Sequence, residues 1–145
     1  MTTGGMAAFG TLVKIGDGGG PESFTTIAEL VDITGPGFKM NTADLTNHSS
    51  TGAWKELVGT ILEGGQLKLV LNFIPTAPTH SQSTGLIRDF KNKTKRNFQL
   101  VFPDGGATTW TLPCLITALD FKAPVKDKLS ADVTLEVAGA PTLAG

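Results

Sequence analysis

QLKLVLNF (Gln66–Phe73) and LSADVTLEV (Leu129–Val137) decide the fold class. In the first, Leu67, Leu69, Leu71 and Phe73 fall on one side, while Gln66, Lys68 and Asn72 fall on the other and Val70 breaks the rule. In the second, Leu129, Ala131, Val133, Leu135 and Val137 alternate with Ser130, Asp132, Thr134 and Glu136. A period of two is the mark of a strand with one buried and one wet face. The same pattern extends outward. Phe98, Leu100 and Phe102 alternate with Asn97, Gln99 and Val101, and Asp104-Gly105-Gly106 supplies a turn before Thr108–Leu112 returns. Pro113 predicts a bend before Leu115–Phe121 resumes. Thr11–Ile15 and Ile27–Thr34 read as two more strands, separated by the glycine-rich turn from Gly16 to Pro21. These apolar faces predict a core containing Leu69, Leu71, Phe98, Leu100, Val133 and Leu135.

Composition agrees. Eighteen glycines and eight prolines in 145 residues favour many turns and few long helices. One short helix is expected where Ser83, Leu86, Ile87 and Phe90 share a face, with Thr79 or Ser81 capping it and Arg88, Asp89 and Lys91 pointing elsewhere. The chain length suits a single domain, residues 1–145.

Residues 36–65 break the pattern. This segment opens on Gly35-Pro36-Gly37, runs through polar Thr42–Ser50 and closes on Gly64-Gly65. It is longer than an ordinary connection, and Trp54, Leu57, Val58, Ile61 and Leu62 make it too apolar for a solvated loop. Two readings stand open here: a helical turn folding back on the chain's own core, or a surface covered by another subunit.

The net charge of −1 does not mark a dedicated nucleic-acid binder. No apolar run approaches the ~18 residues that span a bilayer, so membrane binding is not expected. Met1–Phe9 lacks a basic region, so a secretory signal is not expected either. Cys114 is the only cysteine and reads as a buried small hydrophobe in a protein made in a reducing cytoplasm.

Catalysis needs a nucleophile with a base, a carboxylate pair or a metal cluster. His48 and His80 are the only histidines, and each reads as a loop residue beside a serine. The run Gly16-Asp17-Gly18-Gly19-Gly20 lacks the Gly-Lys-Ser/Thr ending of a phosphate loop. Neither zinc nor calcium spacing is present. The expectation is no enzyme activity, no catalytic residue, no metal and no cofactor. Arg88, Lys91, Lys93, Lys95 and Arg96 form one basic cluster, read as solvating the helix end rather than holding DNA, since no aromatics are interleaved to stack on bases.

Several runs in order carry a resemblance. IAELVDITGPG (Ile27–Gly37), Thr46-Asn47-His48, Gly52–Glu56, Leu62–Gly65 and the stretch from Leu115 to Thr142 together resemble the major tail tube proteins of long, non-contractile-tailed phages. The helix at Ser81–Phe90 and the hairpin at Phe98–Leu112 fall where that family places theirs, so the likeness covers most of the chain from Phe24 onward.

The resemblance implies a mainly β, sandwich- or barrel-like tail tube fold with one flanking helix and a long assembly loop. It implies homohexameric rings stacked into a tube, with the loop (Thr46, Asn47, His48, Trp54, Leu57, Val58, Ile61 and Leu62), an N-terminal arm (about 1–10) and a C-terminal tail (about 139–145) contacting neighbours. Asp132 and Glu136 become candidates for the lumen wall. Implied partners are tape-measure, tail-terminator and distal tail proteins, with genomic DNA passing through unread. The implied location is the virion tail, assembled in the host cytoplasm. A gene transfer agent tail or a contractile injection system ring is the alternative, and a monomeric β-sandwich binding module is a more distant one.

Overall fold

A computed structural model describes residues 5–144. Its strands are β1 (Leu12–Gly16), β2 (Phe24–Thr26), β3 (Leu30–Thr34), β4 (Lys39–Asp44), β5 (Leu57–Glu63), β6 (Gln66–Asn72), β7 (Arg96–Val101), β8 (Thr109–Lys122), β9 (Ser130–Val137) and β10 (Thr142–Ala144). One α-helix, α1 (Leu86–Lys91), lies between β6 and β7. The main sheet is antiparallel in the order β2-β1-β7-β8-β9-β6-β3, with β10 added to β8, and β4 pairs only with β5.

The alternating faces determine how the sheet folds over. Val13 and Ile15 of β1, Phe98 and Leu100 of β7, Leu67, Leu69 and Leu71 of β6, and Val133 and Leu135 of β9 enter one apolar cluster. The two halves of the sheet therefore face each other across it, and the architecture is sandwich-like. Strand β8 belongs to both halves: its first part pairs with β7 and its second with β9. The register slips between Ile116 and Ala118, where an extra residue lets the strand bend.

The expected bend at Pro113 is thus displaced, because β8 runs through it. The carbonyl of Pro113 accepts the N–H of Ala138 at 2.7 Å, so its nitrogen also faces the gap where the chain leaves β9 and has not yet entered β10. No ladder donor is needed there.

Other expectations need correction. Ile27–Thr34 is not one strand: Ile27 is buried between β2 and β3, and Glu29 turns the chain at φ 60°. The helix is only six residues long, and Gly85, not Thr79 or Ser81, is its N-cap. A side chain at Gly85 would collide with the backbone of Thr79, which lies against it. Thr79 instead accepts the N–H of Ala28, and Ser81 accepts that of Thr84. Phe90 is 40% exposed while Asp89, expected to point outward, is buried. Strand β9 starts at Ser130, leaving Leu129 partly exposed. The C-terminal tail is not free, since Thr142–Ala144 pairs with Thr109–Thr111. Residues 1–4 of the expected N-terminal arm, and Gly145, lie outside the described residues.

Candidate functional site

The long segment is neither an irregular loop nor a helix. It is a β-hairpin, β4 and β5, that pairs with no other strand and makes few contacts with the rest of the chain. Its two stems pass backbone to backbone at the base. Gly35 (φ 97°) lies against the carbonyl of Gln66, and Gly65 (φ 71°) against that of Gly37, so neither position has room for a side chain. Just beyond, Phe38 packs at a tilt on Trp110 of β8 with centroids 4.9 Å apart, and Phe102 meets Trp110 edge-on at 5.8 Å. A groove of about 920 Å³, lined by Phe38, Met40, Leu62, Val137, Pro141 and Leu143 among others, opens under the hairpin.

The tip satisfies its own polar groups. Thr46 accepts the N–H of Glu56 at 2.8 Å and gives its own N–H to Asp44 at 2.9 Å. Asn47 accepts from Ser49 at 2.8 Å and donates to the carbonyl of Leu45 at 3.1 Å. Ser50 donates to Glu56 at 2.7 Å. A 3-10 turn, Thr51–Ala53, then delivers Trp54 to solvent. The hydroxyl and backbone N–H of Thr46 hold the Asp44 carboxyl below its usual range.

The apolar side chains have no such partners. Trp54 is 77% exposed, Leu62 73% and Ile61 64%, and every residue of β5 is exposed. Leu57 pairs with Asp44 and Leu62 with Met40, while Val58 pairs with Ala43 on the alternate face. Both faces of the hairpin therefore carry uncovered apolar surface. An isolated two-stranded hairpin is marginal in water, and exposed apolar surface of this kind marks interaction sites. Thr46, Asn47, His48, Trp54, Leu57, Val58, Ile61 and Leu62 thus share one element. Thr46, Asn47 and His48 sit at its polar tip.

Asp132 and Glu136 lie on the outward face of β9. Cross-strand pairing places Asp32 opposite Val70, Val70 opposite Asp132, and Asp132 opposite Asp120, so three carboxylates share one row across β3, β6, β9 and β8. Lys122 bonds Asp132 at 3.0 Å. The basic cluster does not simply solvate the helix end. Arg88 and Arg96 both hold buried Asp89 at 3.1 Å, and Arg96 also reaches the carbonyl of Asp17 at 2.6 Å. Lys91, Lys93 and Lys95 are exposed.

The two histidines separate. His48 is exposed, whereas His80 lies, as read, in the loop between β6 and α1 but is buried there and hydrogen-bonded only to backbone. Cys114 is buried, which pushes its thiol up to about 12. Among the described residues no group of three or more metal-ligating side chains comes together, and no helix is long and apolar enough to cross a membrane.

A β-sandwich whose one projecting element is an uncovered apolar arm defines a subunit of an assembly rather than a reaction chamber. The chain belongs to the lambda phage tail tube protein family, whose model matches residues 11–144. The fold is similar to that of a subunit in the tail of an empty gene transfer agent particle refined with C6 symmetry, at 25% identity and TM-score 0.79, covering 97% of this chain and 100% of that one. It is similar to a subunit of the native gene transfer agent virion, at 24% identity and TM-score 0.76 over 97% and 100% of the two chains. A tube-terminator structure of an extracellular contractile injection system shares the fold at 11% identity and TM-score 0.72, with both chains covered fully. No curated protein sequence matches the chain. The protein is a tail tube subunit, and its family and fold are those of structural proteins.

Proposed function

We propose that the chain closes into homohexameric rings that stack into a hollow tail tube, the conduit through which DNA leaves the particle. The observation that carries this reading is the β4–β5 hairpin, whose apolar faces have no partner within the subunit. The six-fold symmetry of the gene transfer agent tail supports six copies per ring. Subunit β3, at one edge of the main sheet, and β2, at the other, leave backbone donors and acceptors open, and ring closure removes such edges.

The lumen wall is the face carrying Asp32, Asp120, Asp132 and Glu136. Carboxylates repel the phosphates of passing DNA, whereas a lysine-lined wall would bind them by releasing counterions and retard transit. Exposed Lys91, Lys93 and Lys95 belong on the outer surface or at subunit contacts. The chain has no catalytic role and takes no cofactor. Tape-measure, tail-terminator and distal tail proteins are its partners at the tube's core and ends, and assembly takes place in the host cytoplasm. The two gene transfer agent likenesses favour, as a second reading, a tail of that particle type over a phage tail.

Negative-stain microscopy of the purified protein tests this. Rings with a central hole, and tubes at higher concentration, are the expected result. A species that remains monomeric across concentration and salt overturns the reading.

A further inference from the structure

A sulfur fills the middle of the hairpin. Gly59 of β5 faces Thr42 of β4, and the register slips between that pair and the Met40–Leu62 pair. Gly59 does not have a positive φ, so no turn calls for glycine there; what calls for it is room. A Cβ added to Gly59 would lie 2.7 Å from Met40 Sδ, 3.5 Å from its Cγ and 3.6 Å from its Cε. The thioether thus lies along the bare backbone of Gly59 and takes the place of the missing side chain. Met40 is nevertheless 57% exposed, and with Phe38, Leu62, Val137, Pro141 and Leu143 it lines the groove under the hairpin. One polarisable sulfur therefore belongs both to the strand contact and to the uncovered surface. The other described sulfurs are placed differently. Met6 lies outside the hairpin, and Cys114 is buried as a thiol rather than the thiolate that reacts with oxidants.

We infer that Met40 is an oxidative modification site, and that its conversion to the sulfoxide keeps the subunit out of the tube. The inference rests on the tube reading above, in which the hairpin is covered. The oxidant is hydrogen peroxide or an organic hydroperoxide. The sulfur lone pair attacks one peroxide oxygen, the O–O bond breaks, and the departing oxygen takes the proton and leaves as water or an alcohol. Sulfur is oxidised and the peroxide reduced. The product carries a hydrogen-bond acceptor on a polar, chiral sulfur. Gly59 leaves space for the thioether alone, so the added oxygen turns outward or lifts the side chain off the glycine. Either way a polar atom enters the surface that a neighbour is to cover, and an acceptor without a donor opposes burial. In the tube the same surface is closed, which confines the reaction to free subunits. Methionine sulfoxide reductases reverse it, with two thiols becoming a disulfide as the oxygen leaves in water.

Peroxide treatment of the free subunit tests the site, with mass spectrometry locating the added oxygen and microscopy following tube formation. The treated subunit is expected to carry oxygen at Met40, to keep the urea midpoint of the parent, and to need at least about tenfold more protein to form tubes. Sulfoxide reductases with a dithiol are expected to restore assembly. Met40→Leu is expected to assemble before and after the same treatment, whereas Met6→Leu loses assembly on treatment as the parent does. Preformed tubes are expected to keep Met40 unmodified. Normal assembly by a subunit oxidised at Met40, or loss of assembly by treated Met40→Leu, overturns the inference while leaving the tube reading intact. Equal oxidation of Met40 in subunits and tubes, or a lowered midpoint, does the same. An untreated parent that forms neither rings nor tubes overturns both. Should Met40→Leu misfold, tubes grown from a partly oxidised parent must be depleted of the sulfoxide; equal sulfoxide content in tubes and pool sinks the proposal.

Discussion

His80 Nε2 lies 2.7 Å from the carbonyl oxygen of Ala28, fifty-two residues earlier in the chain, and its Nδ1 accepts the backbone N–H of Ile74 at 3.2 Å. Accepting at Nδ1 fixes the proton on Nε2, which therefore donates to Ala28. The ring stacks on Phe73 at 5.9 Å. One neutral imidazole thus pins the β2–β3 turn to the segment after β6. These are backbone groups that no ladder serves.

Replacing His80 with alanine is expected to cost about 3–5 kcal/mol. The change strands a part-buried acceptor and a part-buried donor, at up to about 1–3 kcal/mol each, and opens a cavity beside Phe73. His48→Ala, at the exposed hairpin tip, is expected to stay within about 0.5 kcal/mol. Urea denaturation of both variants checks this; equal losses would mean that His80 is not the clamp.

Leu71 and Leu135 test the packing of the two sheet halves. Both are buried in the cluster that joins β6 and β9 to β1 and β7. Either change to alanine is expected to lower stability by about 2–5 kcal/mol, as transfer and cavity terms combine. A loss under about 0.5 kcal/mol in the same denaturation experiment would place that residue on the wet face.

Acid should weaken the subunit. The Thr108 hydroxyl, then its N–H, holds the Asp104 carboxyl below its ordinary 3.8, and the N–H groups of Gly19 and Ser23 do the same for Asp17. A carboxyl depressed in the folded state is protonated first in the unfolded chain. Its contribution is therefore complete above the ordinary value and lost as pH falls through the folded one. The urea midpoint is expected to hold between pH 7 and 5 and to drop towards pH 3. Asp104→Asn should flatten part of that drop, and a parent midpoint unchanged at pH 3 would contradict the assignment.

What the sequence disclosed and what it hid follow from one physical rule. Gln66–Phe73 and Leu129–Val137 were legible because each strand has one dry and one wet face, and alternation records that asymmetry. The hairpin at Lys39–Glu63 was not, because both its faces are uncovered in the subunit: Leu57 and Val58 sit on opposite sides, Ile61 and Leu62 follow, and Gly59 interrupts. The same residues still announced that the segment needed a cover. The burial of His80, read only as a loop residue, and of Asp89, read as pointing away from the helix's apolar face, was not legible. Their burial depends on partners outside their own element, Ala28 of the β2–β3 turn for one and Arg96 of β7 for the other, which no periodic pattern reports.

The hairpin should change state on assembly. In the subunit it packs on little but its own two strands, and Phe38 on Trp110 is its aromatic anchor to the sheet. Local opening is cheap where few apolar contacts close an element and its backbone bonds face solvent. Once a neighbour covers it, each of Leu57, Ile61 and Leu62 gains about 1.5–3 kcal/mol from burial, less the cost of ordering the side chains. Hydrogen exchange on free subunit and assembled tube reads this directly. Fast exchange is expected across residues 39–63 in the subunit, and strong protection in the tube, while β6 and β9 stay protected in both. Trp54→Ala removes the largest exposed side chain of the hairpin and should leave the subunit's denaturation midpoint unchanged while suppressing tube formation. A hairpin already protected in the free subunit, together with a Trp54→Ala protein that still makes tubes, would assign the hairpin to the subunit's own stability and not to assembly.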